Sequence, residues 1–137
     1  MRLLLDTNAY SRLGRGDPAV AELARRAQAI LFSTVVVGEL LAGFRHGSRL
    51  DHNLAELRRF LDHPRVSLLP VTWTTADRFS RIYAALRRTG KPIPTNDIWI
   101  AAHAMESGAE LISFDPHFDQ VEGLAWLDPA RATGGPS

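Results

Sequence analysis

The chain has 137 residues, 45% hydrophobic and 23% charged, with sixteen basic against fifteen acidic residues and a net charge of +1. These values exclude a fibrous or disordered chain and suit one domain that buries roughly two-thirds of its unfolded surface. With no cysteine, a disulfide framework and a thiolate metal site are both excluded, and a charge this close to neutral does not by itself mark a nucleic-acid binder.

The opening MRLLLDTNAY has three leucines before a charge. That is too short for the apolar region of a signal peptide, and no run approaches a membrane span, so a cytoplasmic protein is expected. Leu3-Leu4-Leu5 reads as a buried parallel strand. Asp17-Pro18 is an N-cap followed by proline at the first helical position, which predicts a helix to about Gln28. Ile30 to Phe32 is a second strand, and Ser33 or Thr34 caps a helix running through Glu39 toward Arg45. Leu50, Leu54, Leu57 and Leu61 repeat at spacings of four, three and four, the stripe of another helix.

Val66 to Val71 is a third strand. Thr74, with Asp77 three residues on, reads as a capping-box analogue for a helix whose buried stripe is Phe79, Ile82 and Leu86. Thr95 or Asn96 caps a helix ending near Gly108, and Glu110–Ser113 and Leu124–Leu127 complete the sheet. Strands alternating with helices predict an α/β fold, a three-layer α/β/α sandwich with a mostly parallel central sheet. Residues 1–128 are expected to form a single domain and residues 129–137 a flexible C-terminal tail.

In such sheets ligands bind at the carboxyl ends of the strands. Asp6 directly follows the first strand, Asp115 comes shortly after the fourth, Asp97 lies in the first turn of its helix, and Glu39 lies about a turn into its own. Each acid has a plainer reading. Asp6 caps a helical turn beginning at Asn8, Asp97 complements a helix dipole, and Asp115-Pro116 opens a turn. Glu39, set among the apolar residues of VVVGELLAGF, resists that treatment, because a carboxylate there needs a partner in the core or in a cleft. Taken jointly, four acids on one rim predict a shared divalent cation, and hard carboxylate oxygens suit Mg²⁺ or Mn²⁺. The histidines (His46, His52, His63, His103 and His117) show no HExxH spacing, so zinc is a poor competitor, and His103 on an alanine-rich helix reads as a packing residue.

Three segments, LLLDTNAY, STVVVGELLAG and TNDIWIAAHAMESGAELISFDPHFDQVEGL, resemble the PIN-domain ribonucleases, specifically the short VapC-like toxins of type II toxin–antitoxin pairs. The resemblance runs over about residues 2 to 127. It implies a metal-dependent endoribonuclease that hydrolyses RNA phosphodiester bonds. Asp6 and Asp97 would be the principal metal ligands, Glu39 would order water or a second ion, and Asp115 would complete the rim. Thr7 and Asn8 would support the site. Where the family often has a second acid, this chain has His117. The resemblance also implies a cognate antitoxin that places a basic side chain among the acids, together with a homodimer, a heterotetramer or a larger assembly.

Arginine supplies all but one of the basic residues, Lys91 being the exception, and the even spread along an alanine-rich chain fits coding bias as well as phosphate binding. Arg45, Arg49, Arg87, Arg88 and Lys91 are candidates for gripping RNA phosphates or for a solvated helix face. Trp73 and Trp99 are candidates for an interface or for the core. Three rival readings stand beside the toxin. One is an RNA-processing nuclease of the same chemistry, and another is a non-catalytic binding module, which has no need of four carboxylates. The third is an aspartyl phosphotransfer fold, whose chemistry wants a second acid where Asn8 stands.

Overall fold

Leu3, Leu4 and Leu5 are fully buried, because β1 (Arg2–Leu5) is the central strand of a parallel sheet covered on both faces. The computed structural model describes residues 1–133. The five strands lie in the order β3-β2-β1-β4-β5, with β2 at Ala29–Ser33, β3 at Val66–Leu69, β4 at Glu110–Ile112 and β5 at Trp126–Leu127. Every adjacent pair is parallel, and Leu4 faces Leu31 on one side and Leu111 on the other. Helices flank the sheet in the expected three-layer sandwich. No helix among the described residues is long and apolar enough to cross a membrane.

The chain builds outward from β1 through β2 to β3, then returns to place β4 on the other side of β1. The order therefore reverses beside β1, and in α/β sheets that reversal opens a crevice at the carboxyl edge. The segments leaving β1 and β4 line it.

Helices α1 (Thr7–Gly14), α2 (Pro18–Arg26), α3 (Thr34–His46) and α4 (Leu50–Leu61) precede β3. Asp17 caps α2 as its sequence predicts, accepting from the Ala19 and Val20 amides. The helix stops at Arg26, short of the expected Gln28, because the Gln28 amide instead donates to the Met1 carbonyl beside β1. Tyr10, Phe32 and Phe60 meet edge to face at 5.1–5.4 Å and lock α1 and α4 onto β2.

The remaining helices are α5 (Trp73–Thr89), α6 (Thr95–Ser107) and α7 (Pro129–Thr133). Two caps differ from expectation. The cap of α5 is Thr72, with Thr75 in the reciprocal position, because the Thr75 hydroxyl turns inward and donates to Glu106 at 2.6 Å. Thr74 does not cap, and Asp77 pairs with Arg81 one turn on, at 3.0 Å. At α6 neither Thr95 nor Asn96 caps; Pro94 holds that position without a side-chain bond, since Asn96 is engaged elsewhere. The C-terminus of α6 is Gly108 at φ 67°, a left-handed residue that turns the chain into β4. β3 and β5 are shorter than expected. A turn of 3-10 helix, Pro116–Gln120, was not anticipated. The segment expected to be a flexible tail begins instead with α7, where the Asp128 carboxylate accepts from the Ala130 amide at 3.0 Å. Residues 134–137 of that expectation lie outside the described residues.

Candidate metal centre

Asp6 is the first residue past β1 and is only 7% exposed. Its amide donates to the Ile112 carbonyl at 3.3 Å, tying the end of β1 to β4. Its Oδ1 accepts from the Ala9 amide at 2.8 Å, so Asp6 caps α1 as well as lining the crevice. Asp115 follows β4 and caps the 3-10 turn in the same manner, with Oδ1 accepting from the His117 amide at 3.1 Å. The plainer capping readings of both acids are thus true, and they are also what aims the carboxylates. Asp97 sits in the first turn of α6.

Glu39 points from α3 into the same space. The Thr7 hydroxyl donates to its Oε1 at 2.6 Å and the Asn96 amide to its Oε2 at 3.2 Å. The resemblance implies a supporting role for Thr7, and this bond to Glu39 is the contact through which it would act. Asn8 is exposed and makes no side-chain hydrogen bond among the described residues.

Asp6 and Glu39 lie outside the 4.8 Å group that Asp97 and Asp115 form with His117, but each interacts with Asp97 through its charge. Burial pushes the Asp6 carboxyl above its ordinary value, the Ser113 hydroxyl and the Ala9 amide pull it down, and the charges of Asp97 and Asp115 push it up again. Burial likewise raises Asp97, His117 lowers it, and the charges of Glu39 and Asp115 raise it. Among the described residues none of the four acids is paired with an arginine; the arginine ion pairs go to Asp17, Glu22, Asp77 and Asp128. A structural salt bridge, the plainest account of Glu39, is thereby removed.

His117 enters the cluster from the 3-10 turn. Its Nδ1 lies 2.8 Å from Asp115 Oδ1 and its Nε2 lies 2.7 Å from Asp97 Oδ2. The second contact is close but out of line for a hydrogen bond, which leaves a buried Nε2 without an aligned partner. Ligand atoms of Asp97, Asp115 and His117 all lie within 4.8 Å of one another. Carboxylates with no arginine beside them and a ring nitrogen without an aligned partner within the same 4.8 Å group fit a divalent cation.

Three residues at this centre were not singled out by spacing. Asn96 looked like a cap, Ser113 like the end of a strand, and His117 carried no zinc pattern. The TND run, with Asn96 beside Asp97, was the available signal for the first; no comparable signal marked Ser113. His103, by contrast, is fully buried and packed as expected, hydrogen-bonded to Ser33 Oγ at 2.8 Å and to the Pro70 carbonyl at 3.1 Å.

The bond from Thr75 to Glu106 shows that α5 and α6 run antiparallel, so the last turn of α5 lies toward the end of α6 that carries Asp97. Arg87, Arg88 and Lys91 are exposed there, and Arg87 donates to the Tyr83 hydroxyl. Arg45 and Arg49 are exposed and line a depression of about 530 Å³ between α3 and α4. Trp99 stacks on Phe79 with ring centroids 4.1 Å apart, an internal contact, whereas Trp73 is 87% exposed.

A family model described as "PIN domain" matches residues 3–124, which run from β1 through β4 and so take in the strands that flank or form the crevice at the reversal point. The chain belongs to the PIN-domain family. It is 31% identical over 115 residues to "Ribonuclease VapC2" of Haemophilus influenzae, covering 82% of this chain and 86% of that one. It is 29% identical over 131 residues to "tRNA(fMet)-specific endonuclease VapC" of Shigella flexneri, covering 93% and 98%. Among solved structures, VapBC-1 from nontypeable Haemophilus influenzae superimposes with a TM-score of 0.83 at 23% identity, over 95% of this chain and 99% of that one.

Proposed function

We infer that the protein is an endoribonuclease that hydrolyses RNA phosphodiester bonds with Mg²⁺ or Mn²⁺ and serves as the toxin of a toxin–antitoxin pair. The observation that carries this reading is the grouping of Asp97 and Asp115 with His117 within 4.8 Å, with Asp6 and Glu39 each interacting with Asp97 through charge and no arginine paired with any of the four acids among the described residues. The VapC ribonucleases to which the chain is similar support the activity, and a cytoplasmic location follows from it.

A divalent ion held by these carboxylates would supply Lewis-acid polarisation of a phosphoryl oxygen and a water of lowered pKa. The residues of the chain do the rest. Asp6 and Asp97 would be the principal ligands, held by the α1 cap and by the first turn of α6. Glu39, fixed by Thr7 and Asn96, orients water at the rim, and Asp115 closes the rim from the β4 side. Arg45, Arg49, Arg87, Arg88 and Lys91 grip the backbone of a single-stranded RNA segment whose bases can be drawn into the crevice.

The same uncompensated charge is a receptor for a basic side chain, which is how an antitoxin would silence the site. A solved toxin–antitoxin complex from Klebsiella pneumoniae, which contains a chain of this fold, supports that role. Leu68, Val71 and Trp73 are exposed around the edge strand β3, which suits them to a homodimer or antitoxin interface.

The test is cleavage of total RNA by wild type and Asp97→Asn, each with Mg²⁺, Mn²⁺ or EDTA. Wild type is expected to cut only with metal, and Asp97→Asn to be slower by at least about a hundredfold. Equal cutting by both proteins, or cutting that survives chelation, removes the mechanism.

A further inference from the structure

We propose that His117 is itself a metal ligand through Nε2, oriented by Asp115, and that it turns the centre toward Mn²⁺ and away from Mg²⁺. The inference rests on the metal-dependent nuclease reading above and deepens it.

The 3-10 turn holds the ring in place. Pro116 fixes the backbone ahead of it, the His117 amide donates to Asp115 Oδ1, and the ring leans on Phe118 with centroids 4.8 Å apart. Nδ1 then lies against the same carboxylate oxygen at 2.8 Å. A neutral imidazole has one N–H. With that proton on Nδ1, the nitrogen on the Asp115 side, the lone pair of Nε2 points past Asp97 Oδ2, which lies 2.7 Å away, and Nε2 is buried without an aligned partner.

Two lone pairs at that distance repel unless a cation sits beside both. The separation is close to the roughly 3 Å between neighbouring ligand atoms of an octahedral ion with bonds of about 2.1 Å. A carboxylate on one ring nitrogen and a metal on the other is the usual arrangement of a ligating histidine, because the carboxylate fixes tautomer and orientation together. Asp115 Oδ1 accepts from the His117 amide and has the ring beside it at 2.8 Å, which leaves its other oxygen for the ion or its water.

The chemical consequence concerns which ion binds. Mg²⁺ favours an all-oxygen shell, whereas imidazole suits first-row transition ions. Four carboxylates alone would discriminate weakly between Mg²⁺ and Mn²⁺. One nitrogen among them breaks the balance.

The experiment loads purified wild type, His117→Ala, His117→Asp and Asp97→Asn with Mn²⁺, reads nitrogen hyperfine coupling by electron spin echo modulation, and titrates Mn²⁺ and Mg²⁺ calorimetrically. Thermal melts without metal keep folding separate from binding. Wild type is expected to show histidine nitrogen on the bound Mn²⁺. His117→Ala loses that signal and about tenfold or more in Mn²⁺ affinity, with Mg²⁺ affinity little changed. His117→Asp, an oxygen donor in the same place, reverses the preference toward Mg²⁺ without restoring the nitrogen signal. If His117→Ala does not fold, the wild-type spectrum and His117→Asp still decide. Metal-dependent RNA cleavage by wild type with no nitrogen coupling would overturn the His117 assignment and leave the nuclease intact; that result assigns His117 a proton in place of an ion. Wild type and Asp97→Asn that both fail to bind either ion would overturn both.

Discussion

At Glu39 both carboxylate oxygens already have donors, one from Thr7 and one from Asn96, and the side chain is half-buried on a helix of apolar neighbours. A long side chain held at two points keeps one orientation, which a residue that orders water or a cation requires. Thr7→Val removes the hydroxyl and keeps the shape. We expect metal affinity to fall about tenfold, measured by calorimetry, while the thermal midpoint stays close to wild type. Unchanged affinity would mean that Glu39 is positioned by packing alone. Thr7 was offered only by the family resemblance, which matches it as the residue after Asp6. Asn96 was not legible, because its amide reaches a residue 57 positions away, and nothing local separates that role from an N-cap.

The helices reach the crevice because their first turns are fixed by side chains that serve two elements at once. Ser33 ends β2, caps α3 by accepting from the Val35 amide at 3.0 Å, and meets the buried ring of His103 on α6 at 2.8 Å. Its hydroxyl supplies the proton for Nδ1, since Nε2 donates to the Pro70 carbonyl. Ser33→Ala therefore removes a cap and strands a buried imidazole nitrogen. The expected loss is about 2 kcal/mol in urea unfolding, the cap and the unsatisfied nitrogen each contributing about 1 kcal/mol. A loss below about 0.5 kcal/mol, the size of a neutral surface change, would show that neither bond matters. Ser33 as cap was readable from Ser-Thr before an apolar run. The displaced cap of α5 was not, because Thr72, Thr74 and Thr75 offer equivalent hydroxyls, and only the pull of Glu106 on Thr75 chooses among them.

Across the whole molecule a net charge of +1 conceals a steep local imbalance, four acids at one edge and exposed arginines elsewhere. Burial first, and then mutual repulsion, raise Asp6 and Asp97 above the ordinary value of 3.8. The metal-free native state therefore binds those protons more tightly than the unfolded chain. Their stabilising contribution is complete below about the unfolded value and is lost as pH rises through the raised native values. Metal competes with the same protons, so stabilisation by Mn²⁺ grows over that window. In EDTA, Asp97→Asn is expected to flatten the fall of the thermal midpoint with rising pH and to melt above wild type once wild type has ionised. The check is a set of melts across the acidic range with EDTA and with Mn²⁺. A variant with the wild-type slope would show that Asp97 is not under strain.

Three apolar runs at strand length, helical stripes between them and an Asp-Pro cap carry their meaning locally, so the alternating order and the parallel sheet followed from the sequence alone. The acids Asp6, Glu39, Asp97 and Asp115 were also visible there, because a carboxylate directly after a buried strand or within an apolar helix conflicts with its surroundings. What only the tertiary structure decided is the meeting of Glu39 with Asn96 and of Asp97 and Asp115 with His117. That meeting depends on the chain reversing at β1 and on which of several equivalent hydroxyls and amides each helix start uses. Such choices are made by partners dozens of residues away, through distances that no local spacing encodes.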